Sequence, residues 1–159
     1  MSESLEVSGS TRKEKYESLL PQIHALLEGE GDRIANLSNA MAALKYGMGF
    51  FWVGVYFVRG DELVLGPFQG PVACTRIAKG KGVCGYCFVT GQTVIVKDVD
   101  QFPGHIACSS LSRSEIVVPV FDKQKNLVLV LDVDSESLGD FDETDQTYLE
   151  KLAQLLGNL

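Results

Sequence analysis

Four cysteines, one histidine and three acidic residues are the side chains here whose types and spacing could do covalent chemistry. Cys74, Cys84, Cys87 and Cys108 all fall between Gly66 and Glu115, in GPFQGPVACTRIAKGKGVCGYCFVTG followed by QTVIVKDVDQFPGHIACSSLSRSE. Their separations are 10, 3 and 21 residues. Cys84-Gly-Tyr-Cys87 has zinc-knuckle spacing, but no second pair answers it, and only His105 stands near Cys108. The same CxxC spacing suits a redox pair, yet the βαβ context of a thioredoxin-type motif is missing. What remains is a set of thiols on neighbouring loops that can meet in space. A thiolate in the run Gly104-His105-Ile106-Ala107-Cys108 would be stabilised by backbone N–H groups, with His105 placed to lower its pKa. For each cysteine the plain alternative is a small buried hydrophobe.

The acidic residues sit in apolar company. Glu115 shares a strand face with Val117, and Asp132 shares one with Asp134, Val128 and Val130, while Leu127, Leu129, Leu131 and Val133 are expected to face the core. Carboxylates so placed must be solvated, paired or functional, because burying an isolated charge is costly. Crowded at a pocket, one of them takes a raised pKa and can donate a proton near neutrality. For Asp134 the alternative is that it ends its strand. Trp52 and Tyr56 lie on one strand face with Gly54 between them, about 13 Å apart along the strand. The glycine leaves either a slot with aromatic walls or room for close packing.

The elements that must position these residues read as follows. Thr11 with Glu14 is a capping-box pattern, and Tyr16, Leu19, Leu20, Ile23, Leu26 and Leu27 then follow helical spacing, in a helix that Pro21 should kink or split. Asp32 caps a second helix that Gly47 or Gly49 ends. Strands are expected at 50–59, 63–65, 72–77, 93–97, 113–121 and 127–134, with a short helix over 83–90 and a long loop over 98–112. Asp142 caps a last helix. Helices at both ends with about six strands between them predict an α+β fold: an antiparallel sheet with the terminal helices on one face and the other face free for a site.

At 159 residues the chain is expected to form one domain over 11–159, with disorder over the Ser/Glu-rich residues 1–10. A net charge of −7 argues against nucleic acid or an anionic membrane as partner. Residues 1–18 are polar, and no apolar run reaches the roughly 18 residues of a membrane span, so a cytoplasmic location with reduced thiols is expected. Physics alone leaves three readings open: a cysteine-based redox enzyme, a ligand-sensing module and a metal-stabilised domain.

The combination ACTRI, GKGVCG, FPGHIAC, SRSEIV and LDVDS resembles the free methionine-(R)-sulfoxide reductases, which are single GAF domains. The resemblance runs from about Lys45 to the end. It implies reduction of free methionine-(R)-sulfoxide with no cofactor and no metal, with Cys108 as nucleophile, Cys74 as resolving thiol and Cys84 as a third thiol in the exchange. It places substrate among Trp52, Tyr56, Glu115, Asp132 and Asp134, with Glu115 as the acid and the two aspartates on the ammonium. Backbone N–H groups of 104–108 would hold the carboxylate. A thioredoxin-type dithiol would recycle the enzyme, and the family implies a homodimer. Two features depart from the family pattern: Tyr86-Cys87-Phe88 stands where small residues are usual, making Cys87 extra, and LVLVLDVDS lacks the glycine that often precedes this strand. The rival reading is a GAF domain that binds a small molecule or senses redox state without catalysis.

Overall fold

The Thr11 hydroxyl accepts the Glu14 N–H and starts helix α1 (Arg12–Leu27), while Glu14 takes the Ser10 N–H at 3.4 Å. The computed structural model describes residues 4–159. Pro21 lies inside α1, which runs on unbroken. The carbonyl its ring frees belongs to Glu17, an exposed residue, and Leu19 and Ile23 on either side are fully buried, so packing overrides the break. Asp32 caps α2 (Arg33–Met48), and Gly49 ends it at φ 74°, a left-handed value that favours glycine. Part of the expected disorder, residues 1–3, falls outside the described residues. Residues 4–10 have no regular structure, yet they are tied to α1: the Glu6 N–H bonds the Gln22 side chain at 3.0 Å, and Leu5 and Val7 pack on the core.

The strands are β1 (Trp52–Arg59), β2 (Glu62–Gln69), β3 (Arg76–Ala78), β4 (Val94–Val96), β5 (Ser114–Phe121) and β6 (Leu127–Ser135). They form one antiparallel sheet in the order β3-β2-β1-β6-β5-β4. A bulge against Gly54–Tyr56 absorbs Gly66 and Pro67, which lets β2 continue past the residues expected to end it. Residues 72–75 are loop rather than strand. A second irregularity at Val120–Phe121 reverses the phase at the start of β6, so Leu127 packs toward the far side of the sheet and Val128 toward the helices. Helix α3 (Gly82–Thr90) and α4 (Glu143–Gly157) complete the fold, with a 3-10 turn at Val99–Gln101 in the long loop.

Alternation then sorts the side chains. Val53, Val55, Ile116, Val118, Leu129, Leu131 and Val133 join α1, α2 and α4 in the larger core. Trp52, Tyr56, Val117 and Val130 face the other way, where α3 and the loops cover them. The fold is therefore the α+β arrangement expected, with α3 as lid on the site-bearing face. No helix among the described residues is long and apolar enough to cross a membrane.

Helices α1 and α4 are fastened together at Asp145. This fully buried carboxylate accepts from the Tyr16 hydroxyl at 2.6 Å, from the Arg12 guanidinium at 3.2 Å and from the Asp142 N–H at 3.0 Å. It also completes the capping box of α4. Asp145→Ala leaves the buried Tyr16 hydroxyl without its partner and the Arg12 charge with Asp140 alone. We predict a loss of about 2–4 kcal/mol in urea unfolding, with an unchanged denaturant slope; a loss below about 1 kcal/mol would show that water replaces the carboxylate.

Candidate active site

The ladder of the sheet brings the acids together. Trp52 pairs with Asp134, and Asp134 with Glu115, so these three form one row across β1, β6 and β5. Gly54, Asp132 and Val117 form the next row on the same face. Directly opposed side chains stand about 4.5–5.5 Å apart at Cβ, so three carboxyls from two strands must share one corner. Helix α3 lowers Cys84 onto them, and its thiol donates to Glu115 Oε1 at 3.8 Å. One donor atom from each of Cys84, Glu115 and Asp132 lies within 4.8 Å of the others.

This corner is the floor of a pocket. Trp52, Tyr56, Cys84, Cys108, Glu115, Asp132 and Asp134 all line it, together with Lys81, His105, Ile106, Ser109 and Ser112. Gly54 does not leave an open slot. A Cβ there would stand 2.5 Å from the Trp52 ring, which fills the space and stacks on Phe68 at 5.4 Å and on Tyr56 at 6.2 Å between centroids. The Trp52 indole N–H is fixed by the Pro71 carbonyl at 2.9 Å. The pocket's aromatic wall is therefore a rigid stack.

Burial sets the electrostatics. It pushes the Glu115 and Asp134 carboxyls well above the carboxylate range, and the neighbouring Asp132 pushes them further. Burial also raises Asp132, to about 6, against hydrogen bonds from Glu115, Cys84 and Asp134 that lower it. Asp132 Oδ1 is buried without a hydrogen-bond partner among the described residues. The Cys84 thiol is raised first by burial and then by the Asp132, Glu115 and Asp134 charges, so it is a protonated donor at neutrality. His105 is lowered by burial and is a neutral imidazole at pH 7, which removes it as a cation that could activate Cys108.

The four thiols separate into two kinds. Cys74 and Cys108 are joined in a disulfide across 34 residues, with Cα atoms 5.3 Å apart. Cys84 and Cys87 are free and buried. Cys87, the extra cysteine, packs in the apolar layer under α3, and burial pushes its thiol up to about 12. The zinc-knuckle pairing of Cys84 with Cys87 is not formed, since the group of donors that gathers with Cys84 consists of Glu115 and Asp132. Within the 104–108 loop, the His105 and Cys108 N–H groups bond the Phe102 and Ile106 carbonyls, which leaves them less free to hold a carboxylate. Lys81 and Ser112, unnoticed in the sequence, border the pocket because one opens α3 and the other leads into β5. Their adjacency to Cys84 and Glu115 in the chain was the available signal.

A GAF-domain family model matches residues 36–159. The chain is 58% identical to GAF domain-containing protein A of Dictyostelium discoideum over 159 residues, covering 99% of this chain and all of the relative. It is 40% identical to the free methionine-R-sulfoxide reductase of Saccharomyces cerevisiae over 157 residues, covering 94% and 87% of the two chains. A solved structure of free methionine-R-sulfoxide reductase from Neisseria meningitidis, in complex with its substrate, superposes with a TM-score of 0.95 at 54% identity, covering 98% of this chain and 94% of that one. The chain belongs to the free methionine-(R)-sulfoxide reductase family.

In this family member the acids keep protons that the unfolded chain would release. Their folded pKa values lie above the unfolded ones, so the cluster costs nothing below about pH 4 and opposes folding increasingly as pH rises through about 6. We predict that Asp132→Asn raises the melting temperature by several degrees at pH 8 and by much less at pH 4.5. Parallel melting curves across that range would mean that the corner is hydrated.

Proposed function

We propose that this protein reduces free methionine-(R)-sulfoxide to methionine through Cys108 and Cys74. The observation that carries the reading is the Cys74–Cys108 disulfide bordering a pocket floored by proton-holding carboxyls. The Cys108 thiolate attacks the sulfoxide sulfur, and Glu115, held protonated by its burial, gives a proton to the sulfoxide oxygen. Methionine leaves and the oxygen ends on Cys108 as a sulfenic acid. The Cys74 thiol then displaces that oxygen as water and forms the disulfide seen here. Cys84 serves as a neutral hydrogen-bond donor to Glu115 rather than as an exchanging thiol, because its pKa is raised and its sulfur points into the acid corner.

Substrate orientation follows from charge. Asp132 offers a carboxylate to an ammonium, with the protonated Asp134 beside it as a neutral acceptor, and the Trp52–Tyr56 stack flanks the methyl-thio end. The first turn of α3, which has no side-chain cap, and Lys81 beside it offer N–H groups and a cation to the α-carboxylate. A peptide-bound residue lacks both end charges. The disulfide would be reopened by a thioredoxin-type dithiol in the cytoplasm, a setting that fits two buried cysteines left free.

Two experiments test this. Free methionine-(R)-sulfoxide should be turned over in the presence of dithiothreitol, with the (S) epimer and a sulfoxide-containing peptide slower by about 10²-fold or more; comparable rates on the peptide would sink the substrate reading. In a single turnover, Cys108→Ser should give no methionine, while Cys74→Ser should give about one equivalent and then stall with thioredoxin. A stoichiometric burst from Cys108→Ser would transfer the nucleophile's role to another thiol.

A further inference from the structure

The acid corner has a second chemical identity. Cys84 Sγ and one carboxylate oxygen each of Glu115 and Asp132 come from three elements, α3, β5 and β6, and lie within 4.8 Å of one another. A tetrahedral zinc ion with bonds of about 2.3 Å to sulfur and 2.0–2.2 Å to oxygen holds such donors roughly 3.5 Å apart. The Cys84–Glu115 separation of 3.8 Å is close to that without any shift of backbone. A second observation is independent of the cluster's composition. Asp132 is 6% exposed, lines the pocket and carries an oxygen with no hydrogen-bond partner among the described residues. A buried acceptor left unsatisfied costs about 1–3 kcal/mol, which a cation at that point would relieve.

We propose that Cys84, Glu115 and Asp132 form a site for a borderline-soft divalent cation, with zinc the fitting ion, and that the ion shuts the pocket reversibly. On binding, the ion displaces the protons of Cys84 and Glu115 into solvent, so one thiolate and two carboxylates supply three ligands of the type and number found at open zinc sites, and the fourth position faces the pocket. Cys87 takes no part, being packed in the apolar layer of α3. The ion occupies the ground assigned above to the substrate ammonium, so it excludes substrate; this consequence rests on the proposed function, whereas the binding itself does not.

The test uses the full chain with the Cys74–Cys108 bridge intact, so that Cys84 and Cys87 are the thiols available. Zinc chloride alone is titrated by calorimetry, and cobalt(II) replaces it for optical absorption, where a thiolate-to-cobalt charge-transfer band reports sulfur ligation directly. We expect one ion per chain, and the band in wild type and in Cys87→Ala. Losing a group one bond further from a metal costs about 10–100-fold in affinity, so Cys84→Ser and Asp132→Asn should each weaken zinc by at least about tenfold, and Cys84→Ser should abolish the band. Zinc bound equally well by Cys84→Ser, or cobalt bound by wild type without the band, overturns the site. If Cys84→Ser does not fold by circular dichroism, the wild-type band and Asp132→Asn decide. Neither readout needs turnover, so failure of the site stays distinct from failure of the substrate reading. Free methionine sulfoxide should weaken zinc if both readings hold; unchanged affinity would overturn the competition alone.

Discussion

Three carboxyls occupy one poorly hydrated corner because the sheet's register allows them nowhere else to go. A slip of one residue in β5 or β6 would turn Glu115, Asp132 and Asp134 into the helix-packed core and expose Ile116, Leu131 and Val133 in their place. Packing of α1, α2 and α4 therefore enforces the acid corner on the opposite face. Crowding in turn keeps protons on groups that would shed them in water. The large core and the small reactive one are two sides of the same ladder.

Environment, not residue type, divides the cysteines. Cys74 and Cys108 come from loops outside the sheet ladder and can approach each other. Cys84 and Cys87 belong to one short helix, which presses the first against a carboxyl and the second against apolar side chains. Raised thiol pKa values then keep both protonated at neutrality.

Much of this was legible in the chain, wherever one local rule governed. Thr11, Asp32, Asp142 and Gly91 mark helix ends as their chemistry dictates, and the alternation in β1 and β5 placed Tyr56 and Glu115 on the pocket side correctly. Failures cluster where two rules compete. Pro21 is held by packing on both sides, Gly66-Pro67 is absorbed by a bulge, and Leu127 and Val128 exchange faces at another. The strand expected from residue 50 begins only at Trp52, so Phe51 packs on the pocket side and Phe50 joins the helix-side core. Gly54 offered two meanings, and only the Trp52 ring position decides between them. The pairing of Cys74 with Cys108 was implied by family resemblance, because spacing alone does not select among thiols on separate loops.

The anchorage of Tyr16 and Arg12 on Asp145 has a consequence for the making of the protein. Those partners are 129 and 133 residues apart, so α1 is made long before the carboxylate that seats it. Until it arrives, β5 lacks the α4 surface that covers its helix-side residues, and α1 has a buried phenol with nothing to bond. Contacts of such separation form late and slowly. Cys74 and Cys108 are thus synthesised before β6 and α4, the elements that complete the sheet and its helix-side cover. Through that interval neither thiol has the folded surroundings that bring it to the other.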